Sequence, residues 1–272
     1  MTDDAFTASD RDRLARLFAG IASEAGVAVM EVYASDFTAR TKADSSPVSD
    51  ADERAEEIIL DRLAVALPGV EVLAEETAAR EGLGVVRAST FLLVDPVDGT
   101  REFLKRNGQF TVNIALIAAG RPVAGCVYAP ARGDIYFGGA TAWTTPGFAP
   151  GQAIGPTDGR PIRTRAYPAE GLTAVTSSSH LDPETKAFLA ARKIAGSTAI
   201  GSSLKFCLVA AGEADVYPRW GPTMEWDTAA GHAVLQAAGG CVARPDGSPF
   251  VYGKSADGYR NGPFVAWGRA PG

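Results

Sequence analysis

Residues 91–103 read Phe-Leu-Leu-Val-Asp-Pro-Val-Asp-Gly-Thr-Arg-Glu-Phe, an apolar run that ends in two carboxylates three residues apart. Phe91–Val94 has the composition of a buried strand, and Asp95 and Asp98 stand at its end. Pro96 holds the turn between the acids, and Gly99 frees the backbone before Thr100. Mg²⁺ is commonly bound through one or two carboxylates, with water and a substrate's phosphate filling the other positions. A strand end of this kind can hold a hard cation and a phosphate together. The competing reading is a surface turn, since Asp, Gly and Pro all favour turns. The apolar strand in front of the acids, and matching acids elsewhere, weigh against it.

Bulk composition narrows the partners. The chain has 272 residues, 46% of them hydrophobic, enough for one large domain or two small ones. A net charge of −6 argues against general attraction to nucleic acid or an anionic membrane. Cys126, Cys207 and Cys241 lie far apart and read as reduced thiols of a reducing compartment. The N-terminus has no signal-peptide pattern, and no run reaches the roughly 18 apolar residues of a membrane span. A cytoplasmic protein without an integral membrane segment is expected. With only His180 and His232 present, a His-rich zinc centre is disfavoured, and acids must supply any metal ligands.

Periodicity predicts a helix from Ser9 to about Val32, capped by Ser9 or Asp10, and a second over about 50–67, ending before Pro68-Gly69. Strands are expected at Val70–Leu73, Phe91–Val94, Thr111–Ala118, Pro122–Ala129 and Asp134–Gly138, with residues 145–160 as loop. Beyond a boundary near 160 the pattern alternates. A strand at Leu172–Thr176 precedes a helix at Pro183–Arg192, and a helix runs on from Ser202. A strand at Ala214–Tyr217 precedes a helix at Thr228–Ala238, then strands at Cys241–Ala243 and Pro263–Trp267. The fold class is layered α/β, an N-terminal α+β part (1–160) followed by an α/β part (161–272).

Three further places carry acids. Glu75-Glu76 follows the run Val70–Ala74, and solvated surface acids are the competing reading. Asp227, before an Ala-rich helix, reads as an N-cap compatible with metal binding. Asp52 stands three residues after Ser49, a capping-box-like spacing, and could also serve as a general base.

Together these segments resemble the inositol monophosphatase superfamily of Mg²⁺-dependent, lithium-sensitive phosphatases. The resemblance rests on Asp95–Phe103, on Trp226-Asp227-Thr228-Ala229-Ala230-Gly231, on Glu75-Glu76 and on the loop 46–52. Residues 105–113, Ser179-His180, Gly201–Phe206 and Tyr217-Pro218-Arg219 are similar to the CysQ-type 3′(2′),5′-bisphosphate nucleotidases within it. The resemblance implies an α/β/α/β/α sandwich, related to fructose-1,6-bisphosphatase, with the site between two subdomains. It implies hydrolysis of the 3′-phosphate of 3′-phosphoadenosine 5′-phosphate with two or three Mg²⁺ ions. Glu75, Asp95, the Val97 carbonyl, Asp98 and Asp227 are the implied metal ligands. Gly99 and Thr100 are implied to meet the phosphate, with Asp52 and Thr100 activating water. Ser202, Ser203, Lys205, Arg219 and His180 are implied to hold the nucleotide. Partners would be a small bisphosphate nucleotide, with no nucleic acid and a monomeric or homodimeric chain.

Alternatives remain. Inositol monophosphatases and broad sugar-phosphate phosphatases share the acid motif. Haloacid-dehalogenase phosphatases use Asp-x-Asp near the N-terminus, whereas these acids are three apart and a third of the way along. A non-catalytic phosphate-binding protein on the same scaffold would bind without turnover.

Overall fold

The computed structural model describes residues 6–35, 40–41, 47–48, 50–177 and 182–269. The chain opens with helix α1 (Ala8–Ala34), a short hairpin of β1 (Arg40–Thr41) and β2 (Pro47–Val48), and α2 (Asp50–Ala66). A seven-stranded sheet comes next: β3 (Glu71–Ala74), β4 (Thr90–Asp98), β5 (Thr111–Ala118), β6 (Arg121–Ala129), β7 (Asp134–Gly138), β8 (Ala142–Pro146) and β9 (Arg160–Ile162), in sequential order. The short helices α3 (Glu75–Glu81) and α4 (Thr100–Leu104) leave the C-terminal ends of β3 and β4.

The rest of the chain comprises β10 (Leu172–Ser177), α5 (Pro183–Ala190), β11 (Ile194–Ile200), α6 (Leu204–Ala210), β12 (Val216–Arg219), β13 (Thr223–Met224), α7 (Glu225–Ala237), β14 (Cys241–Ala243), β15 (Arg260–Asn261) and β16 (Phe264–Trp267). Five of these strands form a second sheet, ordered β11-β10-β12-β16-β14, while β13 and β15 pair separately.

Side chains alternate across a strand, and the buried clusters extend that alternation into five layers. Leu92, Val94, Ile114 and Leu116 pack with Leu14, Phe18, Ile59 and Leu63 of α1 and α2. Phe91, Leu93, Ala115 and Ile117 face the other way, toward Phe206 of α6 and Val234 of α7, together with Val175, Tyr217 and Phe264 of the second sheet. On that sheet's far face, Val216, Val265 and Trp267 meet Phe188 and Leu189 of α5. The order is α/β/α/β/α. Helix α7 lies close against the first sheet, since a Cβ on Gly125 would stand 3.0 Å from Ala230 Cα and one on Gly138 would stand 2.9 Å from Val234 Cα.

Several expectations need correction. Helix α1 is capped by Thr7, whose hydroxyl accepts from Asp10 N–H while Asp10 accepts from Thr7 N–H, both at 3.1 Å. Asp10, one of the two residues expected as the cap, is therefore the third helical residue of a capping box. By length and composition α1 would also pass as a membrane-crossing helix, which an unbroken apolar run does not reveal because Arg and Asp interrupt its first turns. Its Leu14, Phe18, Ile21, Ala25 and Val29 are buried in the protein core. Strands β8, β9 and β11 lie in stretches read as loop or left unassigned. All three are at or next to a sheet edge, where small and polar residues are tolerated because one side faces solvent.

Candidate active site

Strand β4 runs through Pro96 to Asp98, and its pairing with β5 shows why its acids can act together. Asp95 pairs with Asn113 and Asp98 with Thr111, so three steps along β4 oppose two along β5. In a regular strand, residues three apart face opposite sides. The extra residue is a bulge, which re-aims the residues after it and brings both acids toward one side.

Asp95 is buried, and its Oδ1 has no hydrogen-bond partner. Burial first, then the charges of Glu75, Asp98, Asp227 and Asp52, hold its pKa well above the ordinary carboxyl range. Asp98 is raised too, chiefly by burial, against the pull of Lys205 and of its bond with Ser203. The Ser203 hydroxyl lies 2.9 Å from Asp98 Oδ2 and 2.7 Å from the Asp227 carbonyl, and it accepts from Asn113 Nδ2 at 3.1 Å. One serine thus ties β4, β5 and α7 together.

The other acids reach this point on helix starts. Asp52 is buried in the first turn of α2. Glu75 opens α3. The α3 N-terminus is held from α2 by Glu56, whose Oε2 accepts from Glu76 N–H and whose Oε1 accepts from Thr77 N–H and hydroxyl, each at 2.7 Å. Glu76 is buried, against the competing reading of the pair as solvated surface acids. Asp227 is not the N-cap of α7, because the helix begins two residues earlier. It is the third helical residue, and its Oδ2 accepts from Met224 N–H at 2.8 Å. Its pKa is raised by burial and then by Asp98 and Glu75.

Gly99 joins β4 to α4 in the left-handed region (φ 95°, ψ 42°), where a Cβ would stand 3.1 Å from the Gln109 carbonyl. Thr100 comes next, half-buried, with its hydroxyl 3.5 Å from the Val97 carbonyl. Val97's own side chain is buried in the layer of α1 and α2, so its carbonyl is its only polar offer.

A cleft of about 710 Å³ opens here, lined by Asp98, Gly99, Thr100, Ser202, Ser203, Lys205, Arg219 and Asp227 among others. Asp95, Asp52, Glu75 and Val97 do not line it; Asp52 and Glu75 are near enough to Asp95 for their charges to raise its pKa. Ser202 adopts φ +50°, rare for a residue with a Cβ and a form of strain that clusters at functional sites. Lys205 is buried, not solvated: its Nζ donates to Ser202 O at 2.5 Å and Ile200 O at 3.4 Å. Burial pulls its pKa down to about 8, partly opposed by Asp98. Arg219 Nε donates to Gly221 O at 3.1 Å and Nη2 to Pro222 O at 3.3 Å. His180 lies outside the described residues.

Sequence reasoning missed Arg101, Glu102, Thr223 and Arg260, which also line the cleft. It missed Glu56, although its spacing of four from Asp52 puts both on one face of α2. Gln109 was noted only for resemblance; its Oε1 accepts from Gly201 N–H at 2.8 Å, which joins the loop after α4 to the one before α6.

The donor set suits Mg²⁺. Asp95 Oδ1 is buried and unpartnered, beside carboxylates that repel one another, so a hard cation would satisfy both. Among the described residues no three acidic, histidine or cysteine side chains are gathered closely enough to hold an ion as they stand. Mg²⁺ does not need a closed protein cage, because water and phosphate complete its shell. The unpartnered oxygen is therefore the more telling observation.

Residues 10–262 match the family model of the inositol monophosphatase family. The chain belongs to the inositol monophosphatase family. Within that family it is 45% identical over 235 residues to the 3′(2′),5′-bisphosphate nucleotidase CysQ of Escherichia coli O157:H7, covering 85% of this chain and 91% of that one. It is 38% identical to CysQ of Buchnera aphidicola over 87% of this chain and 86% of that one. The crystal structure of CysQ from Bacteroides thetaiotaomicron superposes with a TM-score of 0.78 at 36% identity, covering 94% and 97% of the two chains. The layered α/β fold expected from the inositol monophosphatase resemblance is thus found.

Proposed function

We infer that this protein is a Mg²⁺-dependent 3′(2′),5′-bisphosphate nucleotidase that hydrolyses the 3′-phosphate of 3′-phosphoadenosine 5′-phosphate to give AMP and phosphate. The observation that carries this reading is a cleft lined by the acids Asp98 and Asp227 and also by two cations, Lys205 and Arg219. A monophosphate needs only the acids with their ions. Two cations in addition to the acids suit a substrate with a second phosphate. The similarity to bisphosphate nucleotidases of the CysQ type supports the same choice.

Glu75, Asp95, the Val97 carbonyl, Asp98 and Asp227 would hold two or three ions, Asp95 contributing its unpartnered oxygen. When bound, these ions supply Lewis acidity to the attacking water and charge neutralisation to the phosphoryl oxygens. Asp52 takes the water's proton as the new oxygen–phosphorus bond forms, and Thr100 orients that water. The bond to the 3′-oxygen breaks, and that oxygen keeps the electron pair and takes a proton from solvent to become the 3′-hydroxyl of AMP. Backbone at Gly99 can approach the phosphate closely because no side chain intervenes. Ser202, Ser203, Lys205 and Arg219, with His180, hold the nucleotide, Arg219 by the forked donors suited to phosphate. Residues 1–160 and 161–272 form two subdomains with the cleft between them, and the protein works on a soluble nucleotide in the cytoplasm.

Mg²⁺-dependent phosphate release tests the reading across 3′-phosphoadenosine 5′-phosphate, its 5′-phosphosulfate, inositol 1-phosphate and fructose 1,6-bisphosphate. The two nucleotides should dominate. Much faster release from inositol 1-phosphate would contradict the substrate, and binding without release at any Mg²⁺ concentration would contradict catalysis.

A further inference from the structure

Four cationic side chains line the cleft: Arg101, Lys205, Arg219 and Arg260. Their donors are not equally available. Lys205 is buried and spends two donors on the carbonyls of Ile200 and Ser202. Arg219 spends Nε and one Nη2 hydrogen on the carbonyls of Gly221 and Pro222. Arg101 is already engaged within the protein. Arg260 is exposed, and among the described residues its guanidinium makes no hydrogen bond or ion pair, so all five of its donors face the cleft or solvent.

Its backbone, by contrast, is fixed. Arg260 pairs with Met224 across β15 and β13, three residues before Asp227. Next to it, Asn261 Nδ2 reaches the Met224 carbonyl at 2.7 Å and the hydroxyls of Thr228 and Thr223 at 3.0 and 3.1 Å. On the other side, buried Tyr259 holds φ +55°, with its hydroxyl donating to the Gly84 carbonyl at 2.9 Å and accepting from Val86 N–H at 2.8 Å. A bulky residue in the left-handed region persists only where its surroundings over-determine it, and such residues collect at ligand clamps. A free planar cation on a rigid two-strand anchor, aimed into the cleft beside Asp227, is built to receive an anion bidentately.

We propose that Arg260 is a specificity-determining residue that grips the nucleotide's second phosphate, the one not undergoing hydrolysis. This rests on the bisphosphate nucleotidase reading above. Lys205 and Arg219 add two further cations to the same lining, and Arg260 reaches the phosphate from the β13–β15 side. The group recognised is a 5′-phosphate monoester or its sulfate anhydride, since both present two or more coplanar acceptor oxygens.

The experiment compares the full chain with Arg260→Ala and Arg260→Lys in Mg²⁺. It measures kcat and KM on adenosine 3′,5′-bisphosphate and on adenosine 3′-phosphate, and competitive inhibition by AMP and by adenosine. Arg260→Ala should lower kcat/KM at least about tenfold more on the bisphosphate than on the 3′-monophosphate, mostly through KM, and should weaken inhibition by AMP by a similar factor. Inhibition by adenosine should weaken far less. Arg260→Lys should recover only part of the loss, since an ammonium is a point charge. Equal losses on both substrates, or AMP inhibition of wild-type strength in Arg260→Ala, overturn the proposal. The activity itself fails separately, if the wild-type enzyme releases no phosphate from the bisphosphate; AMP binding to wild type and Arg260→Ala, measured by titration calorimetry in Mg²⁺, still decides Arg260 in that case.

Discussion

At the scale of single residues, Asp95 is the hinge of the site. Its carboxyl is raised by burial and by four neighbouring acids. A raised group binds its proton more readily folded than unfolded, so in metal-free protein its contribution to stability is full below the ordinary carboxyl pKa and is lost as pH rises through the folded value. At pH 8 without metal the charged acids destabilise the fold, and Asp95→Asn should therefore melt higher than wild type there. The same variant should gain little from Mg²⁺ and lose turnover. A lower metal-free melting point with an undiminished Mg²⁺ gain would contradict the assignment. Asp52→Asn should keep most of the Mg²⁺ stabilisation and lose about 10²-fold or more in kcat, the scale of a missing general base; an unchanged kcat removes Asp52 from that role. Lys205 offers a pH signature, because its pKa is lowered to about 8 by burial. Above that pH it sheds the charge proposed to attract the second phosphate, so kcat/KM for the bisphosphate should fall, and Lys205→Met should lack that limb. Profiles of identical shape would argue for a purely structural lysine. The acids were legible in the sequence because their residue types admit few other uses after an apolar strand. The linking roles of Glu56, Asn113 and Ser203 were not, because hydrogen bonds across 20 to 105 residues leave no local pattern.

At the scale of elements, the site depends on how α2 holds α3. Both carboxylate oxygens of Glu56 are used by Glu76 and Thr77, immediately after Glu75. Burial raises the Glu56 pKa, and these bonds only partly offset it. Glu56→Ala would leave buried N–H groups without acceptors, a loss of about 2–3 kcal/mol for bonds to a charged group. Since Glu75 opens the same helix, the variant should also need more Mg²⁺ for half-maximal activity. Denaturant midpoints and a Mg²⁺ titration check both effects; a destabilised enzyme with wild-type Mg²⁺ dependence would confine Glu56 to stability. Long elements such as α1, α2, β5 and α7 were readable from periodicity, since each buries a full face. The edge strands β8, β9 and β11 were not, because their polar and small residues lack the alternation that burial imposes. The bulge in β4 was equally hidden: Pro96 suggested a turn, whereas the strand continues through it.

At the scale of the molecule, the question is whether the two proposed subdomains are separate folding units. Their shared interior argues that they are not. One continuous apolar cluster contains Phe91 and Leu93 of the first sheet, Phe206 and Val234 of the central helices, and Tyr217 and Phe264 of the second sheet. Helix α7 belongs by sequence to the later half, yet it rests on Gly125 and Gly138 of the earlier one. Packing this close transmits loss of either face to the other. Calorimetry of the metal-free protein should therefore show a single transition, with calorimetric and van't Hoff enthalpies in agreement. Mg²⁺ should raise that transition without splitting it, because a ligand that binds only the folded state stabilises whatever unfolds with its site. Asp227 is the proposed ligand from α7, so Asp227→Asn should reduce the Mg²⁺ shift while still giving one transition. Two resolved transitions, with only the lower one responding to Mg²⁺, would show instead that the halves unfold independently and that α7 is a docked neighbour of the first sheet, not part of its core.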